Sequence, residues 1–274
     1  MQTSQSARAP SSLGKLLREW RAARGVSQLE LAMHAGFSAR HLSFIETGRA
    51  QPSRQALHVL AEALDVPLRE RNLLFEACGY AHTYRHTPLA DEEMAHIRGV
   101  LEFILERHKP YAAVVLDRYA NCLMGNSAFE QLIAAVVDSS LLGGPMNILK
   151  VTFHPLGARR CIVNWEQVGR NLLARTEREL EHATGDDAAA ALLTELRGYA
   201  GTASFAQGAG AVAVDAAALL LPIHVRTADF EMRLFCTYMT LGTPRDVTLQ
   251  ELRVETFFPA DAESERVWRA VTAS

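Results

Sequence analysis

The chain has 274 residues, more than one small helical domain needs, and this length suits two domains. Its hydrophobic fraction of 49% and charged fraction of 22% are typical of soluble globular proteins and exclude an extended disordered chain. The net charge of −3 is unevenly divided: residues 1–80 hold ten basic and seven acidic side chains, and the remainder holds 18 and 24. We therefore expect a modestly basic head, suited to an anionic partner, on an acidic body.

Several classes are excluded by what the sequence lacks. No apolar run reaches the roughly 20 residues of a membrane span, and residues 1–12 lack the apolar core of a signal peptide, so we expect a cytoplasmic protein without a membrane partner. Four widely spaced cysteines form no CxxC pair, which predicts buried thiols and no metal site: Cys78, Cys122, Cys161 and Cys236. We predict no catalytic site, since the sequence has no Gly-x-Ser-x-Gly elbow and no phosphate-binding glycine loop.

The first elements in the chain are helical. We expect residues 1–11 to be disordered and a first helix to begin at Ser12. Its apolar side chains recur at i, i+3, i+4 and i+7, which is the spacing of one buried helix face: Leu13, Leu16, Leu17 and Trp20. Two further helices, ending near Leu64 and at Gly79, complete a predicted five-helix bundle over residues 12–80, and residues 81–88 are predicted to be a linker.

Residues 27–48, which lie between the first helix and the helix that ends near Leu64, have the spacing of two short helices joined by a tight turn. Ser27 and Glu30 form a capping box, which marks a helix start. Gly36 follows where a left-handed backbone would end that helix, and Ser38 offers the next N-cap. Leu42 and Ile45 then form one buried edge of the second helix, which leaves its other faces for a partner.

This stretch resembles the xenobiotic-response-element (Cro/C1-type) family of helix-turn-helix repressors. The matching residues are Arg24 to Gln28, Leu31, Ala32, Ala35, Gly36 and residues 45–53. The resemblance implies that the second helix of the pair enters the DNA major groove. The predicted DNA-binding residues are Gln28, Ser38, Ala39, Arg40, His41, Ser43, Arg49 and Arg54. Arg40 is the best candidate for base recognition, because a guanidinium can donate two hydrogen bonds to guanine; Arg49 and Arg54 are predicted to contact phosphates.

The second domain, residues 89–274, mixes helices and strands. Two short apolar runs parted by Asp117 and Arg118 suggest a hairpin, and a block of helices follows. Strand-like runs near residues 219–226, 230–241 and 252–258 come next, and a last helix begins at Ala262. This order predicts an α+β, PAS-like domain with a five-stranded antiparallel sheet and helices on one face.

The second domain also resembles a family, the MmyB-like transcription regulators. The residues that carry the resemblance are 109–112, 115–118, 153–155, Asn164, Trp165, 243–253 and 257–259. The resemblance implies a PAS-like domain that binds a fatty-acid-like ligand. The predicted ligand-binding residues are Val114, Leu116, Met124, Phe153, His154, Trp165, Met232 and Leu234, with His154 and Arg233 as polar anchors for a head group.

Together these patterns predict a homodimeric, sequence-specific DNA-binding transcription regulator that responds to a small apolar ligand. Its partners would be operator DNA, the ligand and a second copy of the chain, with no resident cofactor. One alternative stays open: the second domain only dimerises, or senses haem or redox state through His154, Cys122 or Cys236.

Overall fold

The computed structural model describes residues 12–180, 186–199, 205 and 220–272. The chain divides into two compact units. The first, here called the helical unit, comprises residues up to Pro88 together with Gly242–Gln250. The second, the α/β unit, comprises Leu89–Leu241 and the chain from Glu251 onward. The predicted disordered stretch 1–11 lies outside the described residues.

Five α-helices form the helical unit between residues 12 and 88. They are α1 (Ser12–Ala23), α2 (Gln28–His34), α3 (Ala39–Glu46), α4 (Arg54–Ala63) and α5 (Leu68–Ala77). Three of them begin at a serine N-cap whose hydroxyl accepts a backbone N–H, at Ser27, Ser38 and Ser53. Their inward faces share one apolar core, which includes Leu17, Leu31, Leu42, Ile45, Leu57, Leu60, Leu74 and Phe75.

The α/β unit begins with a 3₁₀ turn, Glu92–Met94, and α6 (Ala95–Arg107). Strands β1 (Ala113–Leu116) and β2 (Cys122–Gly125) precede α7 (Ser127–Val136), α8 (Ile148–Phe153), α9 (Trp165–Leu180) and α10 (Asp187–Gly198). The unit continues with β3 (Ile223–Arg226) and β4 (Glu231–Thr240) and ends with β5 (Arg253–Pro259) and α12 (Ala262–Thr272). Between β4 and β5 the chain forms α11 (Val247–Glu251), which belongs to the helical unit except for Glu251.

The five strands form one antiparallel sheet in the order β2-β1-β5-β4-β3. In the β4–β5 ladder Cys236 pairs with Phe257, Tyr238 with Glu255 and Thr240 with Arg253. The buried Asn126 holds the sheet to its helices: its amide oxygen accepts from the N–H of Ala113 on β1 and of Phe129 in α7, and its amide nitrogen donates to the Leu105 carbonyl of α6. The predicted all-α bundle and α+β domain with a five-stranded antiparallel sheet are confirmed.

The residues predicted to be a linker pack onto the helical unit. The buried Asn72 of α5 accepts the backbone N–H groups of Thr83 and Tyr84 at 3.0 Å each and donates to the Tyr84 carbonyl at 2.8 Å. Farther along, the Thr87 hydroxyl donates to the Asp246 carboxylate at 2.8 Å, and the Val247 N–H donates to the Arg85 carbonyl. The β4–β5 connection, Gly242–Gln250, is therefore part of the helical unit.

Several local expectations differ from the structure. The sequence analysis missed α11, and the strand predicted from residue 219 begins at Ile223. The four cysteines are free thiols, but each is half-buried rather than buried. In the described part of the chain no helix is long and apolar enough to cross a bilayer.

Candidate functional site

The α2–turn–α3 segment is fixed by local contacts. Ser27 and Glu30 form the complete capping box, with the Ser27 N–H donating to the Glu30 carboxylate at 2.7 Å. The Ser27 hydroxyl, together with this backbone contact, lowers the pKa of Glu30. Gly36 has φ of 70°, a left-handed conformation that costs a residue with a side chain about 1–2 kcal/mol. The Ser38 hydroxyl accepts the His41 N–H at 3.1 Å and so begins α3.

One face of α3 is buried and the other carries the predicted base-contacting residues. Leu42 and Ile45 are buried, whereas Ser38, Arg40 and His41 are exposed and Ala39 and Ser43 are half-buried. The first turn of α3 holds no acidic side chain, so its helix dipole and basic residues both favour an anion. An exposed, cationic helix start with its opposite edge in the core is the arrangement that major-groove binding requires.

Arg40 and His41 are supported by aromatic neighbours. The Arg40 guanidinium lies 5.4 Å from the centre of the Phe44 ring, one helical turn away. The His41 ring stacks on Phe37 with their centroids 5.6 Å apart. Both contacts restrict the side-chain rotamers, so less conformational entropy is lost when these groups bind a base or phosphate.

Glu46, at the end of α3, ties the three helices of the DNA-binding element together. Its buried carboxylate accepts from the guanidinium of Arg21 in α1 at 3.0 Å and from the amide of Gln28 in α2 at 2.9 Å. The Arg18 guanidinium also donates to the Glu46 carbonyl at 2.6 Å. Gln28, a predicted DNA-binding residue, thus has a structural contact too. The sequence analysis missed the roles of Arg18, Arg21 and Glu46.

The two predicted phosphate-binding residues differ in their surroundings. Arg49 is exposed and directly follows the turn at Gly48, which has φ of 72°. Arg54 is exposed as well, but its guanidinium lies over the rings of Phe75 and Tyr80 and donates to the Ala81 carbonyl. Arg49 is therefore the better candidate of the two for a phosphate contact.

The α/β unit contains a cavity of about 90 Å³. Its lining residues come from helices α7, α8 and α9, from the chain between α8 and α9, and from strands β3, β4 and β5. They are Phe129, Leu132, Ile133, Val136, Ile148, Leu149, Thr152, Ala158, Ile162, Val168, Leu172, Arg175, Ile223, Val225, Leu234, Cys236, Arg253, Glu255 and Phe257. Most are apolar, so the cavity suits an apolar ligand better than water.

Of the eight residues predicted to bind a ligand, Leu234 lines this cavity. Val114, Leu116, Phe153 and Met232 are instead buried in the core of the same unit, and Met124 is half-buried on β2. Trp165 packs edge-on against Phe153, and His154 packs edge-on against Tyr199 at 5.6 Å. The predicted head-group anchor Arg233 lies 3.7 Å from the Asp261 carboxylate, and more than half of its side chain is exposed.

The charged end of the cavity was missed, although period-two spacing along β5 places Arg253, Glu255 and Phe257 on one face. Burial raises the pKa of Glu255, although its contacts with Tyr238, Arg175 and Arg253 oppose the rise. Burial and the neighbouring Glu255 raise the pKa of the Cys236 thiol to about 11, and burial raises that of the Cys122 thiol to about 12. These thiols are therefore protonated at neutral pH, the unreactive form of cysteine.

The two units define a class of protein, a helix-turn-helix DNA-binding domain joined to a ligand-binding domain. A helix-turn-helix domain family matches residues 12–74. The MmyB-like transcription regulator ligand binding domain family matches residues 97–270. The chain belongs to the MmyB-like transcription regulator family, and it is a DNA-binding transcription regulator rather than an enzyme.

Part of the chain is similar to a solved structure, the crystal structure of the clp gene regulator ClgR from C. glutamicum. That protein is 31% identical, covers 30% of this chain and all of its own, and superposes with a TM-score of 0.24. Comparison with curated proteins gives no match.

Proposed function

We propose that this chain is a homodimeric, sequence-specific regulator in which α3 recognises operator bases and the α/β unit binds a small apolar, fatty-acid-like ligand that alters DNA binding. The DNA-binding part of this proposal is supported by the exposed N-terminal turn of α3, in which the Arg40 guanidinium lies over the Phe44 ring. The observation that carries the ligand half is the apolar cavity between the sheet and α7, α8 and α9.

Base recognition is tested by comparing variants on two duplexes. The operator would first be found by sequencing the DNA fragments that the purified protein retains. By fluorescence anisotropy, Arg40→Ala should weaken binding to the operator by about 1–3 kcal/mol per head and weaken binding to a scrambled duplex much less. Arg40→Lys is the matched control, because lysine keeps the positive charge but cannot form the bidentate hydrogen bond to guanine.

Arg49→Ala should behave differently from Arg40→Ala. Because a phosphate contact carries no sequence information, its loss should weaken binding to both duplexes alike. The slope of log K against log salt concentration should fall by an amount that corresponds to about one phosphate contact per DNA-binding domain. Equal losses on both duplexes for Arg40→Ala would contradict the base-recognition assignment.

The homodimer is supported by the charge balance of the head. A surplus of three basic over acidic side chains in residues 1–80 is small for a DNA-binding surface. Two heads on one operator double the phosphate contacts, so dimerisation raises both affinity and specificity. Sedimentation of the full chain, and an operator made of two half-sites about one helical turn apart, would test this proposal.

The ligand half is tested by native mass spectrometry of the purified full chain. A defined adduct of small mass supports the proposal, and a bare chain that binds no added apolar compound contradicts it. Redox sensing by Cys122 or Cys236 is disfavoured by the raised thiol pKa values. In the part of the chain that the structure describes, no cluster of His, Cys, Asp and Glu residues could hold a metal ion.

Coupling between ligand and DNA is supported by the course of the chain. Strands β4 and β5 both contribute side chains to the cavity, and the segment that joins them, Gly242–Gln250, belongs to the helical unit. A ligand that shifts β4 or β5 therefore acts on a covalently continuous part of the DNA-binding unit. For an allosteric effect the ligand must favour one state over the other, typically by 1–3 kcal/mol.

A further inference from the structure

Helix α6 carries more apolar surface than its own unit covers. At about 100° per residue, its large apolar side chains span about 200° of the helix circumference, roughly twice the stripe that a helix needs to pack on a core. They are Ile97, Val100, Leu101, Phe103, Ile104 and Leu105. Leu101 and Leu105, at one end of this arc, are buried. Phe103, at the other end, is 60% exposed, and Val100, three residues before it, is 37% exposed.

A shallow groove runs beside the Phe103 ring on the exposed side of α6. Its lining comes entirely from α6: Gly99, Glu102, Phe103, Glu106 and Arg107. The first four of these follow the spacing i, i+3, i+4 and i+7, which forms the hole that accepts a side chain from a second helix. The Arg107 guanidinium lies 5.1 Å from the centre of the Phe103 ring and restricts its rotamers. We call Val100, Phe103 and this groove the α6 outer face.

The α6 outer face is self-complementary in shape. A two-fold axis brings the same surface of two identical subunits together, so each subunit must offer both a projecting side chain and the depression that receives it. Phe103 supplies the projecting side chain, and the groove beside it supplies the depression. A second copy of this chain therefore fits the face without any further element.

The charges along α6 also complement a second copy. Residues 91–93, at the start of the 3₁₀ turn that leads into α6, are all acidic and exposed. At the other end of α6, Arg107 and Lys109 are basic and exposed, and Lys109 lies 2.8 Å from the Glu106 carboxylate. An antiparallel pair brings the acidic end of each helix to the basic end of the other and opposes the two helix dipoles. A parallel pair would place like charges together.

We propose that the α6 outer face is the homodimer interface, in which two copies pack their α6 helices antiparallel across a two-fold axis near Phe103. This inference rests on the proposed function, because it assigns the interface of the homodimer proposed there. Phe103 of each subunit enters the groove of the other, and Arg107 and Lys109 face the partner subunit's Glu92 and Glu93. Interfaces of standard size bury about 1,200–2,000 Å², and one pair of short helices buries less. We therefore expect a Kd on the order of 1–100 μM for the free dimer, which binding to two half-sites strengthens.

The first test removes the aromatic ring. Sedimentation velocity of the full chain at several concentrations measures dimerisation, and a duplex with two half-sites measures cooperative DNA binding. Phe103→Ala should weaken dimerisation at least about 30-fold, because a central aromatic side chain contributes about that factor and the two-fold axis removes two of them. Leu156→Ala is the matched control, since it removes another exposed apolar side chain, from the connection between α8 and α9, and should dimerise as the wild type does. Circular dichroism checks the fold of each variant.

The outcomes separate this interface from the dimer itself. A wild-type dimer that Phe103→Ala leaves intact, or that Leu156→Ala weakens as much, would overturn the α6 interface and keep the homodimer. If the wild-type chain is monomeric in solution, the same comparison applies to its cooperativity on the two half-sites. A wild-type chain that is monomeric and also fills the two half-sites independently would contradict the homodimer of the proposed function.

The second test reverses the charges at the two ends of α6 separately. Glu92→Lys combined with Glu93→Lys makes both ends basic, and Arg107→Glu combined with Lys109→Glu makes both ends acidic. Each double variant alone should dimerise about 5- to 30-fold more weakly than the wild type, because attractive pairs become repulsive at both ends. An equimolar mixture should dimerise about as well as the wild type, since each end then meets its opposite charge. Double variants that dimerise like the wild type, or a mixture no better than its components, would overturn the antiparallel pair.

Discussion

Replacing Glu46 by Ala should destabilise the helical unit more than any exposed substitution in it. The Glu46 side chain is only 3% exposed and that of its partner Arg21 is 20% exposed. The substitution leaves the guanidinium of Arg21 and the amide of Gln28 without the acceptor that joins α1 and α2 to α3.

The size of the effect follows from this burial. Removing one partner of a fully buried ion pair costs about 3–5 kcal/mol. Because Arg21 and Gln28 are only partly covered and water can reach them, we expect roughly 2–4 kcal/mol for Glu46→Ala. For a domain of this size each 1 kcal/mol lowers Tm by about 4–8 °C, so the transition of the helical unit should fall by on the order of 10 °C or more.

Thermal unfolding of the full chain, followed by circular dichroism and by loss of operator binding, measures this effect. The matched control is Glu19→Ala, which breaks the exposed Lys15–Glu19 pair one helical turn apart. Such pairs contribute at most about 0.5 kcal/mol, so the control should unfold close to wild type. The reasoning is refuted if Glu46→Ala is no less stable than Glu19→Ala.

Two further predictions concern close packing at glycines and a hydrogen bond within the helical unit. A Cβ on Gly14 of α1 would lie 2.0 Å from the Glu46 carbonyl oxygen, whereas one on Gly99 of α6 would meet nothing within 4 Å. Chemical denaturation should therefore show that Gly14→Ala lowers the free energy of unfolding by at least about 1–3 kcal/mol and that Gly99→Ala raises it by about 0.5–1 kcal/mol. A change in the same direction for both variants would contradict the stated geometry. Asp246→Ala removes the acceptor of Thr87, so hydrogen exchange should speed up at residues 83–88 and 243–250; unchanged exchange would show that this contact does not hold the segment.

The helix-turn-helix element could be predicted because its signals are local. A capping box spans four residues, an N-cap serine acts within one turn, and a left-handed glycine ends a helix at its own position. Ser27, Gly36 and Ser38 each have the predicted geometry. The contacts of Glu46 with Arg21 and Gln28 span 25 and 18 residues, and no local pattern indicates which charged side chain is buried.

The cavity could be predicted only in outline. An apolar residue on a strand or helix fills the core or lines a cavity depending on how closely the next layer packs, and spacing does not record that distance. All three of Val114, Leu116 and Leu234 are therefore buried in the core, but of these Leu234 also lines the cavity. Arg253 and Glu255 occupy alternate positions along β5, but charged residues in such a pattern usually indicate a solvent-exposed face rather than the charged end of a cavity.

The attachment of Gly242–Gln250 to the helical unit could not be predicted from the sequence either. The contact between Thr87 and Asp246 joins residues 159 positions apart. Propensity places a turn after β4 but does not say what the turn contacts.

The central claim is that an apolar ligand in the α/β unit changes the affinity of the helical unit for DNA. The most direct measurement is the Kd for the operator, determined by anisotropy with the full chain stripped of lipid and again with the same protein saturated with decanoate. We predict a change of about 5- to 150-fold, the range that a coupling of 1–3 kcal/mol produces. If decanoate is shown to be bound and the Kd is the same in both preparations, the claim is contradicted.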